Sequence, residues 1–374
     1  MLPARHSERL RLADLLPACL TAIVDGTGPL AALPVRKAVV VVIDGLGAEA
    51  LQARAGHART LSRAPRLERA ESGFPTTTAA ALASLTTGSP AGQHGMVGYR
   101  VLDPQHDRML NQLNDLDQVD PSTWQRRPTV FAAASGHRVA PFAIGARKFA
   151  SSAFTRAVLR GAQYVASDSL RGRFDAAREL FDRHDRALVY LYIPELDQLG
   201  HSSGWESSAW LEQLEAVDAE LDGFSRLLRA DEGMLVTADH GMIDVPAASH
   251  VLFDAEAALV DGVRHVGGEP RCLQLYLEPW EDPTAVAERW RNAEGDRAWV
   301  VTREEIVQAG WFGETDAEVL PRIGDVLVAA RKRVAYYDSR DERSMRGRSM
   351  IGQHGSLTKE ELEVPLARFG AFVG

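Results

Sequence analysis

Length, composition and charge place this chain among ordinary globular proteins. It has 374 residues, of which 45% are hydrophobic and 25% charged, so it can bury a large core as one domain with an insertion or as two domains. The net charge of −9 argues against a protein that binds a nucleic-acid polymer non-specifically, because that binding depends on cationic side chains that displace counterions.

The N-terminal segment is apolar but does not resemble a targeting or membrane segment. Asp14 and Pro17 interrupt the apolar residues between Arg9 and Val24, which favours an amphipathic helix over a signal peptide or a membrane span. The only cysteines, Cys19 and Cys272, are too few for a disulfide framework or a thiolate zinc site. We therefore expect a cytoplasmic protein without a membrane partner.

Three predicted strands each lead into an acidic residue. Residues 37–43, 187–193 and 233–237 are apolar runs typical of strands buried on both faces of a parallel sheet. They run into Asp44, Asp197 and Asp239, at the strand ends where open α/β sheets bind ligands. With a predicted helix over about 206–229, this pattern indicates a doubly wound, mostly parallel sheet flanked by helices.

Thr78 precedes a run of small residues that should form a helix ending near Gly88. A hydroxyl at the start of a helix meets free backbone N–H groups, which suit a phosphate or an alkoxide. The alternative is that the threonines at 76–78 only cap the helix, and the two roles are compatible.

The pattern changes after Pro246 to shorter predicted strands and helices, including a capping box formed by Thr302 and Glu305. We predict a catalytic α/β domain over 1–245, an inserted smaller α+β lobe over 246–348, and a return to the catalytic domain over 349–374.

The Asp and His motifs are individually ambiguous. Asp197 and His201, four residues apart, could share a helix face and hold one ion, or could be a helix cap and a surface histidine. Asp44 could cap a helix near Gly47, and a dinucleotide-binding turn there lacks its third glycine. Their combination with a hydroxyl is typical of a two-metal site that activates an attacking oxygen. The full set comprises Asp44, Asp197, His201, Asp239, His240 and His354.

In order along the chain, these motifs resemble the type I phosphodiesterase/nucleotide pyrophosphatase family of the alkaline phosphatase superfamily. The resemblance implies that Asp44, Asp239 and His240 hold one zinc ion together with the Thr78 oxygen. It also implies that a second zinc ion is held by Asp197, His201 and His354. Thr78 is selected over its neighbours because it lies ten residues before Gly88.

One position departs from the family pattern. Tyr99 stands where relatives that cleave nucleotide diesters carry a phosphate-binding asparagine, and its phenol can donate one hydrogen bond to a substrate. The resemblance therefore implies a substrate-binding role for Tyr99 with a different geometry.

Three carboxylates against two divalent cations leave one positive charge, which suits a singly charged diester. We predict hydrolysis of phosphodiester or pyrophosphate bonds in a small, nucleotide-like substrate through a threonyl-phosphate intermediate. The alternatives are a phosphomonoesterase or phosphonate hydrolase on the same site, and an inactive metal-binding module.

Overall fold

The computed structural model describes residues 2–3, 9–26, 28–31 and 33–373. Within these residues the chain forms the following strands: β1 Lys37–Ile43, β2 Arg66–Glu71, β3 Arg100–Asp103, β4 Arg108–Asn111, β5 Ala140–Gly145, β6 Gln163–Ala166, β7 Ala187–Ile193, β8 Glu232–Thr237, β9 Ile243–Asp244, β10 His250–Leu252, β11 Val263–Glu269, β12 Cys272–Leu277, β13 Ala298–Thr302, β14 Val326–Ala330, β15 Ala335–Tyr337, β16 Gly352–Gln353 and β17 Glu363–Gly370.

The α-helices of the same residues are α1 Leu12–Asp25, α2 Ala48–Ala53, α3 Arg59–Ser62, α4 Thr78–Thr87, α5 Ala91–His94, α6 Pro121–Trp124, α7 Val130–Gly136, α8 Ala153–Val158, α9 Leu170–Arg183, α10 Glu195–Ser203, α11 Ser208–Arg226, α12 Ala257–Val260, α13 Pro283–Glu294, α14 Arg303–Gln308, α15 Glu342–Gly347 and α16 Lys359–Leu362.

A seven-stranded sheet in the order β2-β17-β8-β1-β7-β5-β6 forms the larger part of the protein. The five strands from β8 to β6 are parallel, and β17 is antiparallel to both β8 and β2. Every residue of β1 is buried, as expected for a central strand covered by helices on both faces. The predicted doubly wound, mostly parallel fold is confirmed, with an antiparallel strand near one edge.

The helices that cover this sheet follow the predicted apolar patterns. The predicted helix over 206–229 is α11, whose side chains of Leu214, Val217 and Leu221 are buried. It ends before Leu228, which lies beyond the helix and is only partly buried. The predicted N-terminal helix is α1, which stops at Gly26, a residue with a left-handed φ of 71°.

A second, six-stranded sheet has the order β13-β14-β12-β11-β3-β4. It contains the predicted strands of the inserted lobe, but the hairpin of β3 and β4 joins it from the part of the chain before residue 245. A short two-stranded ribbon pairs Gly352 of β16 with Asp244 of β9. The segments before and after the predicted inserted lobe therefore lie side by side. No helix in the described ranges is long and apolar enough to cross a membrane.

Candidate metal centre

The predicted ligands meet because their strands are neighbours. β1 lies between β7 and β8 in parallel register, so the loops after these three strands leave the sheet at the same edge. Asp44 follows β1 directly, and its backbone N–H donates to the carbonyl of Ile193 at the end of β7, 2.9 Å away. Asp197 and His201 lie on α10 after β7, while Asp239 and His240 follow β8.

One ligand cluster combines α10 with the returning C-terminal segment. Asp197, His201 and His354 each offer a ligand atom within 4.8 Å of the others. The Asp197 Oδ1 atom lies 3.4 Å from His201 Nε2 and 3.9 Å from His354 Nε2. These three residues are the set that the family resemblance assigns to one ion.

A second cluster adjoins the first and contains His240 at its centre. His240 Nε2 lies 3.4 Å from Asp44 Oδ1 and 3.6 Å from Asp239 Oδ2. Asp44 and His240 also have ligand atoms within 4.8 Å of Asp197. Asp197 thus stands within reach of both clusters, and the division of the six side chains between two ions stays a prediction.

Backbone carbonyls orient all three histidines in the same way. The Nδ1 atoms lie 2.7 Å from the Gly352 carbonyl for His201, 2.8 Å from the Thr76 carbonyl for His354, and 3.1 Å from the Gly241 carbonyl for His240. A carbonyl can only accept, so each Nδ1 carries the proton and each Nε2 keeps a free lone pair. This is the arrangement that fixes a histidine as a metal ligand through Nε2.

The pKa shifts and the unpaired oxygens of the cluster fit a binding site for cations. Burial, together with the neighbouring Asp239, raises the pKa of Asp44 well above its usual value, and burial also raises that of Asp197. Burial and the adjacent His240 lower the pKa of His354, which keeps its ring neutral. Asp44 Oδ1, Asp197 Oδ1 and Asp239 Oδ2 are buried and accept no hydrogen bond from a described residue. Unpaired carboxylate oxygens beside neutral imidazoles fit divalent metal ions.

The three consecutive threonines have different surroundings. The Thr78 hydroxyl lies at the first residue of α4, 3.2 Å from His240 Nε2. The Thr76 hydroxyl donates to the Ser356 carbonyl and accepts from the Gly355 N–H, at 2.9 and 3.0 Å, so it holds the loop that follows His354. Thr77 is the residue before the helix, and its side chain makes no capping hydrogen bond. Of the three hydroxyls, that of Thr78 faces the ligand cluster.

A cavity of about 380 Å³ opens beside Thr78, Asp44 and Asp197. Much of its wall is apolar or aromatic, including Leu82, Ile144, Phe149, Phe154, Val158, Tyr164 and Tyr192. Lys148 is the only basic residue among the described lining residues, and its ammonium group lies 4.9 Å from the centre of the Phe149 ring. The cavity can take a small organic group attached to a phosphoryl centre.

Lys148 and Asn114 are among the lining residues that sequence reasoning missed, because neither belongs to a motif. Asn114 lines this cavity and also a second one of about 400 Å³. Tyr99 lies on the wall of the second cavity and is absent from the described lining of the first. Its substrate-binding role stays a prediction.

Comparisons with known proteins agree with this architecture. A profile of the type I phosphodiesterase / nucleotide pyrophosphatase family matches residues 38–357. Murine ectonucleotide pyrophosphatase / phosphodiesterase 5 superposes with a TM-score of 0.69 and 18% identity, over 88% of this chain and 87% of that one.

An inactive variant of that murine protein in complex with AMP gives a TM-score of 0.68 at 18% identity, over 90% and 88% of the two chains. Phosphonoacetate hydrolase from Sinorhizobium meliloti 1021, in complex with phosphonoformate, gives 0.67 at 20% identity, over 92% of each chain. At these identities the structural likeness shows a shared fold. A sequence comparison with curated proteins finds no match.

Proposed function

The chain belongs to the type I phosphodiesterase/nucleotide pyrophosphatase family, and on that premise we propose that it hydrolyses phosphodiester or pyrophosphate bonds of a small, nucleotide-like substrate. Family membership supports the general class, a hydrolase of phosphate esters or related phosphorus bonds. The finer proposal, a threonyl-phosphate mechanism at a two-zinc centre, rests on the geometry around Thr78.

The observation that carries the proposal is the position of the Thr78 hydroxyl, 3.2 Å from His240 Nε2 within a cluster of buried, unpaired carboxylate oxygens. In the proposed assignment Asp44, Asp239 and His240 would hold one ion together with the Thr78 oxygen, and Asp197, His201 and His354 would hold the other. When bound, two divalent ions would lower the pKa of the attacking hydroxyl and neutralise charge on the phosphoryl oxygens.

The chain's own groups then account for the remaining steps. Thr78 Oγ1 gives up its proton and forms the new bond to phosphorus while the bond from phosphorus to the leaving oxygen breaks, and the leaving oxygen takes up a proton. Water then adds to phosphorus, the bond to Thr78 Oγ1 breaks, and the threonine hydroxyl is restored. The first turn of α4, which begins at Thr78 and has no side-chain cap, offers N–H groups that suit the negative phosphoryl oxygens. The largely apolar cavity beside Thr78 would hold the organic substituent of the substrate.

A phosphonate hydrolase is the second candidate, and one observation favours it. Lys148 lines the substrate cavity without an acidic partner among the described residues, so it could meet a second anionic group such as a carboxylate. Comparing kcat/KM for an aryl phosphodiester, the matching monoester and phosphonoacetate separates the candidates. We expect the diester to be the best substrate, because the net charge of the proposed centre suits a monoanion; a preference for phosphonoacetate would select the second candidate.

Substitution of Thr78 tests the mechanism. Thr78→Ala should lower kcat for the aryl phosphodiester by several orders of magnitude while metal content is retained, because the six Asp and His side chains remain. Thr78→Ser should keep measurable turnover. Thr87→Ala, at the other end of α4, is the matched control, since its hydroxyl only donates to the Ala83 carbonyl of the same helix. Near-normal turnover by Thr78→Ala would rule out the threonyl-phosphate intermediate.

A further inference from the structure

The second cavity, of about 400 Å³, lies between the second sheet and the short helix α15. Phe253, Leu273 and Tyr336 form a buried apolar part of its wall, while Arg343 and Arg346 line it from α15. Asn114 lines both this cavity and the one that contains Thr78. The two cavities are therefore neighbours that share a wall.

A buried acid connects the second cavity with the metal centre. Glu269, the last residue of β11, lines the cavity and is 7% exposed. A Cβ atom at Gly355 would lie 2.3 Å from Glu269 Cγ, so the acid packs directly against the residue that follows His354. This wall of the cavity consequently adjoins the loop that carries a proposed metal ligand.

Glu269 lacks the partners that a buried acid requires. Neither carboxylate oxygen forms a hydrogen bond of ordinary geometry with a described residue. Burial raises the pKa of Glu269 to about 8, although the Thr77 hydroxyl and the Tyr99 backbone N–H lie close enough to oppose the shift. A nine-tenths buried, unpartnered polar group on a cavity wall points to a polar ligand.

The basic residues of the second cavity differ in how far they are already paired. Arg100 makes a 2.6 Å ion pair with Asp341, whereas Arg343 approaches Asp115 only to 3.8 Å. The Arg346 side chain forms no hydrogen bond or ion pair with any described residue. Arg343 and Arg346 are three residues apart on α15 and line the same cavity, so together they offer guanidinium donors to an anion.

We propose that the second cavity binds the other substituent of a phosphodiester or pyrophosphate substrate, and that this substituent ends in a carboxylate or phosphate held by Arg343 and Arg346. The inference rests on the proposed function and narrows its substrate class. The substrate would carry two organic groups on its phosphoryl centre, one in each cavity. Glu269 would meet a polar part of the second group close to phosphorus.

Two aryl phosphodiesters that differ only at the end of the second substituent test this assignment. One carries a terminal carboxylate and the other its methyl ester. The carboxylate should have a kcat/KM about 10-fold higher, as expected for a charge-assisted hydrogen bond. Arg343→Ala/Arg346→Ala should reduce that ratio towards one. Arg171→Ala, which removes an exposed arginine on α9, is the control and should keep the ratio.

Equilibrium binding separates this inference from the proposed function. The same two compounds are titrated into the metal-loaded Thr78→Ala protein, with and without the two α15 substitutions, so that no turnover is needed. Tighter binding of the carboxylate that depends on Arg343 and Arg346 supports the inference even if neither compound is hydrolysed. Equal affinity for the carboxylate and the ester overturns it, even if both are rapidly hydrolysed by the wild-type protein.

Discussion

At the scale of single residues, Thr76 connects the nucleophile segment with the loop that carries His354. Its backbone carbonyl accepts from His354 Nδ1, and its hydroxyl bonds to both Gly355 and Ser356. Thr76→Val keeps the shape and the backbone carbonyl that accepts from His354, but it removes the hydroxyl. The loop after His354 should therefore lose two hydrogen bonds and hold this histidine less firmly. We expect metal affinity to fall by about 10- to 100-fold, as for other substitutions that disturb the support of a ligand.

Metal affinity can be measured by competition with a chelator. Thr86→Val is the matched control, because Thr86 is equally buried but its hydroxyl donates only within α4, to the Leu82 and Ala83 carbonyls. If both variants bind metal as tightly as the wild type, Thr76 does not support the site.

That the six proposed ligands lie close together could be predicted from sequence, because each follows a recognisable strand or sits in a short motif; their role as ligands stays a prediction. Asp44 and Asp239 directly follow apolar strand runs, and parallel pairing then brings them together. Lys148 and Asn114 could not be found in this way, because they reach the cavity from a short 3-10 helix and a turn, whose positions depend on tertiary packing. The sequence also gives no sign of the different surroundings of Thr76 and Thr78, since both lie at the start of the same helix.

At the scale of elements, a buried ion pair ties the second sheet to the segment that returns to the larger sheet. The Arg271 guanidinium donates to both oxygens of Glu361, at 2.9 and 2.8 Å, and neither residue is exposed. Glu361 also accepts from the Ser356 N–H and the Thr358 hydroxyl. The pair thereby holds the chain just after His354 against the strands of the second sheet.

Breaking this pair from one side should be costly, because the remaining charge stays buried. Arg271→Met should lower the free energy of unfolding by about 3–5 kcal/mol. Arg271→Met/Glu361→Leu should recover part of the loss, since it leaves no unpaired charge. Denaturant unfolding of both single variants and the double variant measures the coupling. Arg183→Met, which breaks an exposed pair with Glu179 on α9, should cost under about 1 kcal/mol and calibrates the comparison.

Apolar runs made the strands of the larger sheet predictable, and β1 and β7 have the predicted bounds. It is harder to predict from sequence which strands form the second sheet. Its β3–β4 hairpin meets β11 through a single residue pairing, Gly268 with Arg100, between segments far apart in the chain. Nothing in the local pattern of residues 100–111 indicates that distant partner. The hairpin lies before the predicted boundary at residue 246, and the division of the chain into a catalytic domain and an inserted lobe stays a prediction.

At the scale of the whole molecule, Glu232 links the sheet to its helical layer and should make stability depend on pH. It starts β8, is fully buried, and bonds to Arg178 of α9 and to Lys37 of β1. Burial acts to raise the pKa of Glu232, but the hydrogen bonds from Arg178, the Arg229 backbone N–H and Lys37 outweigh it and lower the pKa below the usual value.

A carboxyl whose pKa is depressed in the folded state stabilises the fold above the pKa of the unfolded state, near 4.3, and loses that effect as the pH falls through the folded value. Glu232→Gln should therefore cost about 2 kcal/mol at pH 6 and progressively less below about pH 4. Denaturant unfolding over this pH range measures the difference. Glu179→Gln, at an exposed position on α9, is the control and should hardly change the free energy of unfolding at any pH. A loss of stability in Glu232→Gln that stays constant with pH would contradict this account.

The central claim, that six Asp and His side chains and Thr78 form a two-metal centre, is tested most directly by counting metal in the purified, folded protein. Elemental analysis should find about two divalent ions per chain, with zinc as the expected metal. Removing them with a chelator should lower the melting temperature, because ions that bind only the folded state stabilise it. His354→Ala should reduce the count without unfolding the chain. A folded wild-type protein that binds no divalent ion, even when zinc is supplied, would contradict the account.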